Sequence, residues 1–415
     1  MIKRIRISNF LSFASLDEEL GLRTVLVGPN MSGKSNFISC LTFLAIAVNP
    51  AAAGGAPAGA LGAPQPNAPP FPVLQSSLRR AFGYLGGFSE VLWKGTADEP
   101  MEIGISAEIS PTKDGPTKIY EYEIAIEGDL RQDRIFVSHE RLTLRDDTGP
   151  TAILERTGHD VRYVRQPGDS AQSTVISEPD RLAIEALSIP GSESDAFRNF
   201  VSSWRFYRLN PLLMKAPNTS APQPFLLDSG ANLSSWLFTL QGHRAEFERI
   251  RQVALDELPS LADLLIQPAQ LGMVYLTSTE RRPLRRPVPL ARMSDGEVTF
   301  LALVSIILAP EDLAAPLYCI EEPESHLHPR LLETLVEVLN QRQGELGPRA
   351  PQIIVTTHSP LLVDRLDIGD LVVVEKAVGA TKFQRPSTKT RLRKLVANKE
   401  TGLGDLWYSG ALGGT

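Results

Sequence analysis

The sequence has few cysteines and no long hydrophobic run. Cys40 and Cys319 are its only cysteines, and both lie in apolar segments, so we expect buried free thiols rather than a disulfide or a zinc site. No apolar run reaches the ~18 residues that a membrane helix requires. The first residues, Met1 to Ile5, lack the apolar core of a signal peptide. These absences predict a cytoplasmic protein that does not contact a membrane.

The chain also lacks a large excess of charge of one sign. The net charge of −6 argues against a surface that coats nucleic acid as a whole, although it allows a local basic patch. Apolar residues make up 42% of the chain and charged residues 22%, which is ordinary for a globular protein. Because 415 residues exceed what one hydrophobic core usually supports, we expect more than one lobe.

Hydrophobic periodicity predicts a first lobe over residues 1–179. Residues 24–27 are a short apolar run typical of a buried strand, and residues 34–48 have the spacing of a helix. Residues 99–165 alternate with period two, which predicts an antiparallel β lobe. Between these segments, residues 49–72 are almost entirely Ala, Gly and Pro, and we interpret them as a mobile surface insertion.

The rest of the chain divides into a helical part and an α/β part. Residues 180–275 are predicted to be a helical insertion, without the sustained heptads of a long coiled coil. Residues 276–415 have the pattern of a second α/β lobe, with a helix at 297–308 and strands at 317–320, 352–356 and 371–375. The expected fold class is therefore α/β, with an antiparallel β lobe and an inserted helical lobe.

A phosphate-binding loop is predicted between the strand at 24–27 and the following helix. Gly28 to Ser35 has the sequence GPNMSGKS, a complete Walker A motif, in which glycines let the backbone wrap around phosphates. Lys34 can reach the β- and γ-phosphates, and the Ser35 hydroxyl can ligate Mg²⁺. The alternative is a glycine-rich turn. The candidate nucleotide-binding residues are Gly28, Asn30, Ser32, Gly33, Lys34, Ser35 and Asn36.

Two carboxylates follow the apolar strand at 317–320. Glu321 would hold Mg²⁺, and Glu322 would polarise the attacking water. Taken alone, these two carboxylates are weak evidence for a catalytic site, because strands often end in acidic residues. A further apolar strand ends just before His358, at the edge where open α/β sheets bind ligands. A structural or solvated histidine is the alternative for His358.

A third motif, RMSDGE, begins the helix predicted at 297–308. Ser294 is a suitable N-cap with Glu297 as its capping-box partner, which is a purely structural interpretation. In the functional interpretation, Ser294 and the Gly296 backbone grip a γ-phosphate that another subunit presents. Both interpretations can hold at once.

The order of these motifs resembles that of ATP-binding cassette ATPases, and within that superfamily the chain resembles the SMC/RecF/OLD branch. The resemblance is carried by IRISNFLSF (5–13), by Asn30 in the Walker A motif and by EEPESHLHP (321–329). TTHSP (356–360) and the ending GLGDLW (402–407) are similar to stand-alone OLD-like predicted ATPases. The likeness covers both ends of the chain well and the middle loosely.

The resemblance implies a P-loop cassette that uses ATP and Mg²⁺. It makes Ser294, Gly296 and Glu297 the signature motif, which acts on ATP held by the opposite protomer of a homodimer. It makes Glu321 and Glu322 the Walker B pair and His358 the switch histidine that senses the γ-phosphate. Three departures stand out: Glu321 replaces the usual Asp, Asp295 replaces a signature glycine, and no Q-loop glutamine stands at 92–94.

Three other features of the sequence bear on further activities or ligands. Residues 372–375 resemble the start of a Toprim nuclease domain, but only 40 residues follow, so we predict the last sheet strand and no nuclease activity. Glu324, His326 and His328 could bind metal, although the stretch after Walker B normally faces the dimer seam. Two basic stretches could hold nucleic-acid phosphates or be solvated faces or protein contacts: Arg281, Arg282, Arg285, Arg286 and Arg292, and Lys389, Arg391, Arg393, Lys394 and Lys399.

The favoured hypothesis is an ATP-driven switch. ATP closes the homodimer, hydrolysis by Glu322 opens it, and the motion passes to a separate effector protein. By analogy with OLD-like ATPases, the setting would be antiviral defence or DNA transactions. The alternative is a RecF-like DNA-repair ATPase without an effector. A membrane-transporter subunit is disfavoured, because about 260 residues separate Lys34 from Ser294.

Overall fold

The structure is a computed structural model. It describes residues 1–49, 76–95, 99–110, 115–130, 134–147, 149–258, 261–268, 273–280, 287–386 and 402–408. The predicted mobile insertion, except for Asn49, lies outside the described residues. So do both basic stretches, except for Arg292.

The described residues form strands and helices. The strands are β1 (Ile2–Phe10), β2 (Phe13–Glu19), β3 (Arg23–Val27), β4 (Met101–Ile109), β5 (Lys118–Asp129), β6 (Arg134–Asp146), β7 (Gly149–Thr157), β8 (Asp160–Tyr163), β9 (Gln172–Val175), β10 (Arg205–Tyr207), β11 (Asn218–Thr219), β12 (Leu261–Pro268), β13 (Met273–Glu280), β14 (Pro287–Pro289), β15 (Leu317–Glu321), β16 (Gln352–Thr357), β17 (Leu371–Ala377) and β18 (Ala380–Gln384). The helices are α1 (Lys34–Ala47), α2 (Ser77–Tyr84), α3 (Phe88–Val91), α4 (Ala183–Ala186), α5 (Glu193–Ser202), α6 (Pro211–Met214), α7 (Leu233–Leu240), α8 (Arg244–Glu257), α9 (Asp295–Ile307), α10 (Pro329–Leu346), α11 (Pro360–Val363) and α12 (Leu403–Tyr408).

A six-stranded sheet of order β10-β15-β16-β3-β17-β18 contains the strand that leads into the Walker A motif. Its first five strands are parallel, and only β18 runs antiparallel to its neighbour. Because parallel strands share one direction, their carboxyl ends meet at a single edge. The predicted strand at 371–375 is confirmed as β17, but it is not the last strand, since β18 follows it and forms the sheet margin.

Both faces of this sheet are covered. Along β15, Cys319 packs into a core shared with α1 and the β lobe, whereas Tyr318 and Ile320 pack against a second core that contains α9 and α10. This alternation follows from the period-two geometry of a strand. The prediction of buried free cysteines is confirmed for Cys319 and Cys40, and burial raises the pKa of both thiols.

An antiparallel sheet of order β2-β1-β4-β5-β6-β7-β8-β9 forms the predicted β lobe. Met101 and Ile103 are buried in it, whereas Glu102 between them is exposed, as the alternation of residues 99–165 predicts. The α/β fold class with an antiparallel β lobe is therefore confirmed.

The segment 180–275 contains helices α4 to α8, but it also contains strands that the helical spacing did not predict. β12 pairs antiparallel with β13, for example Leu264 opposite Ser278. Short apolar runs suit either a strand or a helix, and long-range pairing decides between them. The longest described helix, α10, has 18 residues, so the described chain contains no long coiled coil. No helix of the described ranges is both long and apolar enough to cross a membrane. The boundaries of the three predicted lobes stay predictions.

Gln352 joins the two large sheets. From the start of β16, its buried side chain donates to the carbonyl oxygens of Ile2 and Gly21 and accepts from the Ile2 amide, each at 2.8 Å. One side chain thus satisfies backbone groups of β1 and of the turn before β3. Buried backbone groups that lose such partners carry a desolvation cost.

We expect Gln352→Leu to lower the free energy of unfolding by about 3 kcal/mol, because three buried hydrogen bonds are lost without replacement. The measurement is the urea midpoint followed by circular dichroism. Gln341→Leu, on the exposed surface of α10, is the matched control and should change stability by less than about 0.5 kcal/mol. Equal midpoints for the two variants would contradict this role for Gln352.

Candidate functional site

The loop between β3 and α1 packs too closely to admit side chains at two of its glycines. Gly33 has φ +111°, a left-handed conformation that glycine tolerates. A Cβ atom at Gly28 would lie 2.2 Å from the carbonyl oxygen of Val374 in β17. The glycines of the Walker A motif are therefore required by the loop's own packing.

A cleft of about 240 Å³ opens over this loop. Its lining comprises residues 30–36, Glu322 and Lys376. The Ser32 hydroxyl is buried and has no hydrogen-bond partner within the described parts of the chain. Buried hydroxyls normally have partners, so Ser32 is available to a ligand in the cleft.

Lys34 points back across the loop. Its Nζ donates to the carbonyl oxygens of Gly28 at 2.7 Å and Pro29 at 2.9 Å. Burial lowers the pKa of Lys34, and the carboxylates of Glu322 and Glu324 partly oppose this shift. The ammonium is thus held at the loop, where phosphate oxygens can replace the two carbonyls as its acceptors.

Ser35 and Glu321 meet across the sheet edge. The Ser35 hydroxyl donates to Glu321 Oε2 at 2.8 Å, so the longer side chain at the usual Asp position still reaches the loop. A hydroxyl beside a carboxylate is a hard oxygen donor set of the kind that Mg²⁺ prefers. A nucleotide with Mg²⁺ fits this site, which combines the close-packed glycine loop, the unpartnered Ser32 hydroxyl and the oxygen pair of Ser35 and Glu321.

Glu322 and His358 lie beside each other at the ends of neighbouring strands. His358 Nδ1 is 3.5 Å from Glu322 Oε1, and both side chains are half-exposed. Glu322 has φ +46°, and its amide donates to the Thr356 carbonyl oxygen at 2.9 Å. This turn directs the carboxylate toward the cleft that it lines, where it can act as a base.

Glu324 positions the residues around His358, a role that the sequence did not indicate. One of its oxygens, Oε1, accepts from the Thr357 hydroxyl at 2.6 Å and from the His358 amide at 3.2 Å.

His328 caps α10 by accepting from the Arg330 amide. No group of three His, Cys, Asp or Glu residues in the described chain has the arrangement of a metal site.

The RMSDGE segment caps α9, as its structural interpretation predicts. Ser294 Oγ accepts from the Glu297 amide at 3.2 Å, and Glu297 Oε2 accepts from the Ser294 amide at 2.8 Å. Gly296 allows close packing, since a Cβ atom there would lie 2.7 Å from the His326 carbonyl oxygen. Ser294 is exposed, and this segment does not contribute to the described lining of the Walker A cleft.

Asp295, which replaces a signature glycine, forms an ion pair with Lys215 just after α6. The hydrogen bond from Lys215 lowers the pKa of the Asp295 carboxyl. The negative charge that Asp295 adds at the start of α9 is therefore balanced within the chain. This balance matters for the functional interpretation, because an unpaired carboxylate would repel a phosphate.

The family model of the AAA domain described as "putative AbiEii toxin, Type IV TA system" matches residues 23–364. The chain belongs to this AAA domain family. No curated protein sequence matches the chain significantly.

Solved structures similar to this AAA domain include heads of SMC proteins. An SMC head bound to the C-terminal winged-helix domain of ScpA has 14% identity and a TM-score of 0.50, with 92% of this chain and 96% of that chain covered. The SMC head of Thermotoga maritima has 14% identity and a TM-score of 0.41, with 92% and 98% covered. A Pyrococcus furiosus SMC head with an extended coiled coil, bound to the C-terminal domain of ScpA, has 11% identity and a TM-score of 0.48, with 95% and 99% covered. The first likeness shows the fold of an SMC head, so the chain is a member of the AAA domain family that shares this fold.

Thr381 in β18 supports the phosphate-binding loop of this AAA domain through hydrogen bonds, and no sequence motif predicted this role. Its buried hydroxyl donates to the Ser32 carbonyl oxygen at 2.8 Å and lies 2.7 Å from Ser12 Oγ. Asn36 Nδ2 donates to the same Ser12 hydroxyl at 2.8 Å. Asn36, predicted as a nucleotide contact, thus also joins this network. The only signal for this network in the sequence was Ser12, which lies in the segment 5–13 that resembles the SMC/RecF/OLD branch.

We expect Thr381→Val to raise the KM for ATP about tenfold, because losing the hydrogen bond to Ser32 loosens the loop by about 1.4 kcal/mol. The turnover number should change by less than about twofold, since Thr381 does not reach the reacting atoms. Thr381→Ser retains the hydroxyl and should restore the wild-type KM. Steady-state ATPase assays test this, and a wild-type KM for Thr381→Val would refute the role.

Proposed function

We propose that the chain hydrolyses ATP between two copies of itself that are arranged head to tail. The observation that carries the proposal is that Ser35 and Glu322 line one cleft and Glu321 is hydrogen-bonded to Ser35, whereas Ser294 lies outside the described lining of that cleft. Ser35 and Glu321 can bind Mg²⁺ and Glu322 can activate water, but the cleft of one chain lacks the signature motif. A second chain would have to supply it.

Within one chain, the P-loop residues have distinct proposed roles. Lys34 and the amides of residues 30–35 bind the β- and γ-phosphates of ATP. Ser35 and Glu321 hold Mg²⁺, which when bound neutralises charge on the phosphates. The Ser32 hydroxyl donates a hydrogen bond to the bound nucleotide.

Glu322 is proposed as the base. Its carboxylate accepts a proton from a water molecule, whose oxygen attacks the γ-phosphorus as the bond to the β-phosphate bridging oxygen breaks. ADP and inorganic phosphate are the products. His358, 3.5 Å from Glu322, donates to the γ-phosphate and holds the carboxylate's orientation.

The second chain would close the cleft with the start of its α9. The capping box satisfies the Ser294 and Glu297 amides, while helix geometry leaves the amides of Asp295 and Gly296 without intrahelical acceptors. These amides, with the Ser294 hydroxyl, suit a γ-phosphate. The Lys215–Asp295 pair removes the repulsion that a free carboxylate would exert there.

We further propose that closure and opening of the dimer act as a switch for a separate effector protein. The family description names a putative toxin of a type IV toxin–antitoxin system, and a similar SMC head binds a domain of ScpA. These descriptions belong to those proteins and support the idea of a protein partner for this one. The proposed OLD-like role in antiviral defence or DNA transactions rests on the sequence resemblance.

We expect Glu322→Gln to retain ATP, lose hydrolysis and accumulate as a dimer, because only the proton acceptor is removed. Lys34→Ala should lose nucleotide binding. The measurement is native mass spectrometry of tagged protein purified from its own host with ATP and Mg²⁺. Glu337→Gln, on the exposed surface of α10, makes the same chemical change away from the cleft and should behave as wild type.

A dimer carrying a second protein would support the switch and identify its effector. A dimer carrying only nucleic acid would instead favour a DNA-repair ATPase, and a monomer with ATP bound would contradict the head-to-tail dimer. Normal hydrolysis by Glu322→Gln would show that the base is another residue.

A mixing experiment tests whether the signature acts on the opposite chain. Lys34→Ala and Ser294→Arg should each be inactive alone. Mixed in equal amounts and allowed to exchange, they should regain about a quarter of wild-type ATPase activity, because half of the dimers then contain one intact composite site out of two. Activity of the mixture no greater than the average of the two separate variants would contradict action between chains.

A further inference from the structure

The hairpin of β17 and β18 adds a cation to the nucleotide cleft that no motif contains. Lys376, near the end of β17, lines the cleft together with residues 30–36 and Glu322. Its side chain is exposed and forms no hydrogen bond or ion pair with the described residues. Nothing in the described fold therefore accounts for this charge in the cleft.

Strand pairing brings Lys376 to the cleft. β17 runs parallel to β3, with Val373 opposite Val27, so the two strands end at the same edge. Past this pair, β3 turns into the Walker A loop while β17 continues to Lys376. Close packing holds the two segments together, since the Val374 carbonyl oxygen leaves no room for a side chain at Gly28. Thr381, paired with Lys376 across the hairpin, binds Ser32 directly.

Lys376 approaches the loop from the flank opposite to the proposed catalytic residues. β16 and β15, which precede His358 and Glu322, lie on one side of β3, whereas β17 lies on the other. In the proposed reaction the γ-phosphate lies beside Glu322. A cation on the opposite flank is therefore adjacent to the part of the nucleotide that remains in ADP.

We propose that Lys376 binds the α- or β-phosphate of the nucleotide. This inference rests on the proposed ATP site and adds a residue to it. A lysine ammonium is a compact charge suited to phosphate oxygens, and such charge-assisted hydrogen bonds are stronger than neutral ones. The β17–β18 hairpin then has two parts in the site: Thr381 supports the loop and Lys376 contacts the ligand.

The test measures dissociation constants for ATP and ADP by titration calorimetry with Mg²⁺, using the full chain. Lys376→Met should weaken the binding of both nucleotides about tenfold, and Lys376→Arg should restore binding to within about threefold of wild type. Lys382→Met is the matched control, because Lys382 is exposed on the same hairpin but does not line the cleft. It should leave both constants unchanged.

Each alternative outcome would contradict a different part of the proposal. Wild-type affinity in Lys376→Met, with the thermal midpoint unchanged, would refute the contact. Weakening of ATP but not ADP would refute the α- or β-phosphate assignment. If the wild-type chain binds neither nucleotide, the proposed function itself fails. A lowered thermal midpoint in Lys376→Met but not in Lys376→Arg, with affinities unchanged, would assign Lys376 a structural role instead.

Discussion

The parallel pairing of β3 with β16 on one side and β17 on the other is the constraint on which the candidate site depends. Because these strands run in one direction, the loop after β3 lies between His358 on one flank and Lys376 on the other. β15, beyond β16, brings Glu321 and Glu322 to the same edge. A register shift of one residue in any pair would turn these side chains to the wrong face.

Close contacts at glycines keep the phosphate-binding loop and the signature segment in place. Gly28 lies against the backbone of Val374, Gly33 lies against the side chain of Thr381, and Gly296 of the signature segment lies against the backbone of His326. Each contact joins segments that are distant in sequence, and each excludes a Cβ atom. The loop's geometry is thus set by its neighbours before any nucleotide binds, which reduces the cost of ordering it around phosphates.

Charge in and around the cleft is arranged in compensating pairs. Lys34 is buried beside two carbonyl oxygens and near two carboxylates, and Ser35 donates to Glu321. Lys215 balances Asp295 at the start of α9. Lys376 is the cation of the cleft without such a partner among the described residues, which is why we infer that its partner is the ligand.

The sequence by itself determined the local parts of this protein. Close-spaced motifs such as Gly28 to Ser35 and the box of Ser294 and Glu297 depend on neighbouring residues, so their local geometry was predictable, as were the α/β class and the β lobe. Only the tertiary structure decided the long-range parts: the pairing of β12 with β13, the edge strand β18, and the positions of Glu324, Thr381 and Lys376 around the site. Those features depend on contacts between segments far apart in the chain, and no local spacing of residues encodes which strands become neighbours.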